Sequence, residues 1–161
     1  MKQEIDRPLP SFIDPEWKIG IVASTYHKEH IDAMAEGAKE LLAEAGVKPE
    51  NIVVYHAPGS FEIPVIGSAL AKSGKVDALM GFGIIVQGET HHARLLAESV
   101  TQAMMDIQVQ YAMPFAYEVL YVNDLSQAID RTKGQYNKGR EAAYAVLHSL
   151  AELHRIRTEG Y

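Results

Sequence analysis

The segment Ala78-Leu79-Met80-Gly81-Phe82-Gly83-Ile84-Ile85-Val86 decides the fold. Nine consecutive residues without a polar side chain predict a central strand, covered on both faces. Gly88 breaks the run. Upstream, a helix is expected from about Glu62 to Gly74, with Pro64 in its first turn, where its missing amide does no harm. Downstream, Leu96, Val100, Ala103, Met104 and Ile107 recur at helical spacing and predict a helix over His92–Tyr111. Phe115–Val122 follows as another strand, with Pro114 at its start.

The same alternation extends to both ends. Trp17–Ser24 contains the apolar run Ile19-Gly20-Ile21-Val22-Ala23 and reads as a buried strand. Ile31, Met34, Ala35, Ala38, Leu41, Leu42 and Ala45 share one helical face, and Gly46 supplies a stop. Asn51–His56 is β-branched at its centre and reads as a strand, broken by Pro58-Gly59-Ser60. A short helix is expected near Leu125–Thr132. After Gly134, a last helix runs from about Lys138 to His154, with Val146, Leu147, Leu150 and Leu153 as its buried stripe. The order β-α-β-α-β-α-β-α-α implies an α/β fold: four parallel strands joined by right-handed crossovers, with helices on both faces. Residues 1–16, broken by Pro8, Pro10 and Pro15, read as an N-terminal arm ahead of one domain over residues 17–161.

Bulk properties narrow the function. The 161 residues are 47% hydrophobic and 22% charged, which suits one domain with its own core. The formal net charge of -6 disfavours general nucleic-acid binding, while leaving room for a small phosphorylated ligand held by a few local cations. With no cysteine, disulfides, thiolate metal sites and cysteine nucleophiles are excluded. The polar start Met1-Lys2-Gln3-Glu4 has no apolar core of a secretory signal, and no apolar run reaches membrane-spanning length, so the expectation is a cytoplasmic protein without a membrane partner.

In folds of this class ligands bind beyond the carboxyl ends of the strands, here at turns starting near Ser24, His56, Val86 and Val122. Three of these turns carry unusual residues. They are Ser24-Thr25-Tyr26-His27, Ala57-Pro58-Gly59-Ser60-Phe61-Glu62-Ile63-Pro64 and Gln87-Gly88-Glu89-Thr90-His91-His92. The third reads as an anion cradle: Gly88 admits a ligand close to the backbone, Thr90 offers a hydroxyl, and the helix that follows directs free amides to the same place. His92 lies just inside that helix, and histidine is the residue type best suited to proton transfer at physiological pH. The other reading of the same residues is a helix cap with two solvated histidines.

Three of these blocks carry a family likeness. Pro58-Gly59-Ser60-Phe61-Glu62-Ile63-Pro64 resembles the Pro-Gly-[Ala/Ser]-Phe-Glu-[Ile/Leu]-Pro signature of lumazine synthases. Gly88–His92 is similar to that family's Gly-x-Thr-x-His turn, and Asn137-Lys138-Gly139 to its Asn-Lys-Gly. The resemblance runs from about Lys18 to Leu153. It implies a flavodoxin-like three-layer αβα sandwich that assembles into a homopentamer, in some members into a sixty-subunit shell, with active sites between neighbouring subunits. The implied reaction needs no cofactor. It condenses 5-amino-6-ribitylamino-uracil with 3,4-dihydroxy-2-butanone 4-phosphate, giving 6,7-dimethyl-8-ribityllumazine, phosphate and water.

The resemblance also assigns residues. His92 is the proton shuttle. Gly88, Glu89 and Thr90 hold phosphate, completed by Arg131 of a neighbouring subunit, with Lys138 either a further cation of that region or a residue that fixes the turn. Tyr26 stacks on the pyrimidine, or else plugs the core. Ser60, Phe61 and Glu62 meet the ribityl chain, the backbone at Ile85 and Val86 meets the pyrimidine edge, and Tyr117 comes from the adjacent subunit.

The sequence also departs from the family. Thr25 stands where many members have arginine and His27 where asparagine is common. Glu89 adds a negative charge beside the phosphate cradle. Ala93 and Arg94 replace an aromatic-acid pair. These departures keep a second reading open: a non-catalytic relative that holds a flavin or ribityl ligand, or one that forms a shell. A metal site on His27 with His30, or on His91 with His92, lacks a third ligand nearby in sequence. A dinucleotide site fails because Gly81-Phe82-Gly83 lies within a strand.

Overall fold

In the computed structural model, which describes residues 8–159, the chain alternates as its apolar pattern requires. The elements are β1 (Ile19–Ser24), α1 (Lys28–Glu44), β2 (Ile52–Ala57), α2 (Ile63–Ser73), β3 (Ala78–Val86), α3 (His92–Tyr111), β4 (Phe115–Val122), α4 (Leu125–Ile129) and α5 (Lys138–Thr158). Short 3-10 turns occupy Pro49–Asn51, Ser60–Glu62 and Gly134–Tyr136. The sheet is parallel throughout, in the order β2-β1-β3-β4.

The two central strands are buried along nearly their whole length. Their side chains alternate between two cores. Ile19, Ile21 and Ala23 of β1 join Met80, Phe82 and Ile84 of β3 beneath α1 and α5. Val22, Leu79 and Ile85 face the other way, beneath α2 and α3. Burial on both sides is why these strands read as unbroken apolar runs rather than as alternating ones.

Boundaries differ from expectation where local bonding takes over. Residues 17 and 18 stay outside β1, because the Trp17 amide closes a turn onto Asp14 O at 3.2 Å. The short helix ends at Ile129, not Thr132: Arg131 and Thr132 donate to the carbonyls three residues back and tighten the end of the helix. The last helix continues past His154 to Thr158. Of the expected arm, residues 1–7 lie outside the described residues. Residues 8–16 form neither helix nor strand and run against α5, with the Phe12 ring stacked on His154 at 4.1 Å.

The Asn137-Lys138-Gly139 block is a clamp between helices. Asn137 Oδ1 accepts from the Gly139 amide at 2.7 Å and caps α5, while Nδ2 donates to the carbonyls of Ala33 and Thr132, each at 3.0 Å. A side chain at position 139 would collide with the Met34 carbonyl in α1, so α5 packs there only through glycine. Gly139→Ala is therefore expected to cost about 3 kcal/mol in unfolding free energy, because backbone cannot yield as a side chain does. Gly88→Ala, with open space around the added carbon, should change it by less than about 0.5 kcal/mol. Urea unfolding of the two variants checks the contrast.

Candidate functional site

The sheet order reverses between β1 and β3, and the turns beyond the carboxyl ends of these strands enclose a cavity of about 570 Å³. Ile84, Ile85 and Val86 of β3 line it from below. Tyr26 and His27 reach it from the β1–α1 turn, and Gly59, Ser60, Phe61 and Glu62 from the β2–α2 turn. His92, Ala93 and Leu96 reach it from α3, and Leu125 from α4.

Local packing sets this arrangement. Ser60 is buried against β3, and a side chain at Gly83 would overlap its Oγ. Ser60 thus seats the turn, while Phe61 stays 65% exposed and Glu62 half-exposed above the strand ends. The first turn is tied to the second by Thr25 N donating to Ala57 O at 2.8 Å and Thr25 Oγ1 to Pro58 O at 3.3 Å. Tyr26 is 67% exposed, so it does not plug the core. Two aromatic rings left open to one cavity lose burial that a planar ligand would restore.

The β3–α3 turn is braced from the side. The Gln87 amide donates to Val122 O at 2.8 Å. Gln87 Nε2 donates to the carbonyls of Gly88 and Thr90, and its Oε1 accepts from the Tyr121 hydroxyl. Thr90 Oγ1 accepts from the His92 amide at 3.3 Å, which starts α3. The amides of Gly88, Glu89 and Thr90 donate to no other described residue. All three residues are exposed, as is His92. Gly88, Glu89 and Thr90 do not line the cavity themselves; they lie between Val86 and His92, which do.

Tyr117, Arg131 and Lys138 do not reach this cavity. They line a second one of about 320 Å³ along β4, an edge strand, together with Gln127 and Glu118. Arg131 Nη1 donates to Gln127 O at 2.7 Å. Lys138 is not an exposed cation: it is buried, and its ammonium is paired with Glu141. A larger cavity of about 630 Å³ between α1, the Gly134–Tyr136 turn and α5 contains none of the residues selected from sequence. No group of three or more histidine, aspartate or glutamate side chains suited to a metal ion occurs among the described residues.

Sequence reasoning did not assign His27, Gly59, Ile84, Ala93, Leu96 or Leu125 to the site. His27 follows Tyr26 in a ligand-facing turn, and Leu125 follows the turn after β4, so position relative to strand ends was the available signal. Burial, with the nearby His30 adding to it, pushes the His27 imidazole below its ordinary pKa.

Comparison with known proteins places this geometry in context. The chain matches the sequence profile of 6,7-dimethyl-8-ribityllumazine synthase over residues 16–154. It is 38% identical to the 6,7-dimethyl-8-ribityllumazine synthase of Parabacteroides distasonis over 133 residues, covering 82% of this chain and 83% of that protein. It is 35% identical over 140 residues to the enzyme of the same name from Porphyromonas gingivalis, covering 86% of each. With that of Ruthia magnifica it shares 31% identity over 150 residues, covering 89% and 90%.

Glu118, behind the second cavity, has a charge history of its own. Burial, then the Glu141 carboxylate, push its pKa from 4.5 up to about 8 against the opposing pull of Lys138. The folded state therefore holds a proton that the unfolded chain releases near pH 4.5. The linked contribution is most favourable below that pH and is lost as pH climbs to about 8. Glu118→Gln should accordingly gain stability relative to the parent between pH 5 and pH 9. Unfolding curves across that range test it, and parallel pH profiles for the two proteins would contradict it.

Proposed function

The chain belongs to the 6,7-dimethyl-8-ribityllumazine synthase family, and we propose that the strand-end cavity is where it joins 5-amino-6-ribitylamino-uracil to 3,4-dihydroxy-2-butanone 4-phosphate. One observation carries this reading. An imidazole, an acid and two open aromatic rings share a cavity beside a run of unpaired amides. Such a site suits a flat heterocycle, a polyhydroxylated chain and an anion held side by side.

Tyr26 stacks on the pyrimidine, and backbone groups at Ile85 and Val86 meet its edge. Glu62 accepts from ribityl hydroxyls, with Ser60 seating the turn and Phe61 covering the chain. The amides of Gly88 and Glu89 and the Thr90 hydroxyl receive the phosphate. Holding both reactants in this geometry removes much of the association entropy from the barrier. The pyrimidine amine then attacks the ketone and water is lost to give an imine. Loss of the proton beside the imine carbon expels phosphate and leaves an enol, which tautomerises to a ketone. The ribitylamino nitrogen closes onto that carbonyl carbon and a second water leaves. His92 relays protons in these steps, a role its exposed imidazole can serve as both donor and acceptor.

Arg131 and Tyr117 line a separate cavity, so in this reading they serve the site of a neighbouring protomer in a homopentamer. The Arg131 guanidinium grips phosphate, and Lys138, its charge shared with Glu141, adds to the field there. No described helix is long and apolar enough to cross a membrane, and the proposed setting is the cytoplasm.

Mixing the two substrates should produce the absorbance and fluorescence of the lumazine. His92→Ala should lower kcat by roughly 10- to 100-fold with folding intact, because juxtaposition supplies the rest. Arg131→Ala should mainly raise KM for the sugar phosphate. Subunits of the two variants, dissociated and reassembled together, should recover roughly a quarter of the sites, since each needs one intact residue from each neighbour. No recovery would contradict the shared site.

A further inference from the structure

His27 is held in a conformation that few residues with a side chain adopt. Its backbone is left-handed, with φ 60 and ψ 41, at the start of α1. Glycine, asparagine and aspartate accept that region more readily than most residues. Its carbonyl already accepts from the amides of His30 and Ile31, at 3.1 and 3.2 Å, so the backbone there is fixed by the helix start. The imidazole lies edge-on to Tyr26, with ring centroids 4.5 Å apart and planes at 66°. It is half-buried, lines the strand-end cavity, and makes no hydrogen bond through either ring nitrogen to another described residue. A half-buried polar ring without partners, aimed at the cavity by a strained backbone, points to a ligand contact.

Building on the proposed function, we infer that His27 is a specificity-determining contact, its neutral imidazole accepting a hydrogen bond from a ring N–H of the heterocycle stacked on Tyr26. Burial and the neighbouring His30 keep this ring neutral at neutral pH, so it has a free acceptor nitrogen. An imidazolium has two donors and no acceptor, and acidification therefore removes the contact. The ionisable groups around it are Tyr26 on its own turn, His30 on α1, Glu62 from the Ser60–Glu62 turn and His92 from α3. Of the charges flanking it in α1, Lys28 is paired with Asp32, and Glu29 is exposed.

The test uses the fluorescent product, 6,7-dimethyl-8-ribityllumazine, titrated against the full chain and two variants at pH 7.5 and pH 5.5. His27→Gly removes the ring and frees the backbone. It is expected to weaken binding about tenfold at pH 7.5, to melt no lower than the parent, and to lose the acid sensitivity the parent shows. His27→Asn keeps the left-handed turn and an acceptor oxygen, so it should bind within about threefold of the parent at both pH values. Equal affinity of parent and His27→Gly overturns the inference and leaves the proposed function standing. So does acid weakening that persists in both variants, which would assign it to His92 or Glu62. Absence of lumazine binding by the parent overturns both.

Discussion

Everything at the strand-end cavity depends on β3 having no side chain where the β2–α2 turn and α2 lie down on it. At Gly83 an added carbon would overlap Ser60 Oγ. At Gly81 it would come within 2.6 Å of Met104 Cε and 3.0 Å of Ile63 Cγ2. Protein interiors are too closely packed to absorb such an intrusion by small shifts. The two glycines thus let one turn rest directly on the sheet, and Phe61 and Glu62 reach the ends of Ile84–Val86 as a result. A side chain at Gly83 would press on Ser60 and lift the turn, and the wall of the cavity with it, whereas one at Gly81 would press on Met104 of α3 and Ile63 of α2.

The fold was readable because its decisive segments obey simple periodicities. β3, α3 and β4 occupy the residues their apolar pattern predicts, Ala78–Val86, His92–Tyr111 and Phe115–Val122. Those patterns reflect burial on two faces for β3 and on one stripe for α3, and burial is a property of side chains that sequence states directly. Strand order is not: β2 lies outside β1 while β3 and β4 lie on its other side, and pairing of that kind depends on contacts distant in sequence. The 3-10 turn at Ser60–Glu62 and the early end of α4 were also hidden, since each is decided by one or two hydrogen bonds rather than by a repeating pattern.

Site residues divide along the same line. Tyr26, Ser60, Phe61, Glu62, Ile85, Val86 and His92, chosen from turn position and family likeness, line one cavity. Ser60 faces the strand, because side-chain direction in a turn follows from what it packs on. Lys138 read either as a cation of the phosphate region or as a residue fixing the turn, and it is buried against Glu141; nothing in the spacing of Asn137-Lys138-Gly139 announces that the block is also a clamp between helices. His27 was weighed as a metal ligand with His30 and as a departure from the family's asparagine, not as a ligand contact in its own right. Its left-handed backbone, which aims it elsewhere, is invisible without coordinates.

Two cavities rather than one have a consequence for assembly. The cavity holding His92 lies over the ends of β1 and β3, and the one holding Arg131 lies along β4, so the two occupy different patches of one protomer. If they are halves of a single phosphate site, the surface joining neighbours pairs unlike patches. A two-fold interface would build such a site twice about one axis, whereas the head-to-tail contact of the proposed ring builds it once at every boundary. Unlike patches repeat from subunit to subunit until the rotation closes a ring, so every protomer both offers and receives one half-site. In that geometry a ring of n subunits has n complete sites, and an isolated protomer has none. Under that condition catalysis is tied to assembly without any change of conformation, because Arg131 and the proposed phosphate turn at Gly88–Thr90 would meet only where two protomers meet.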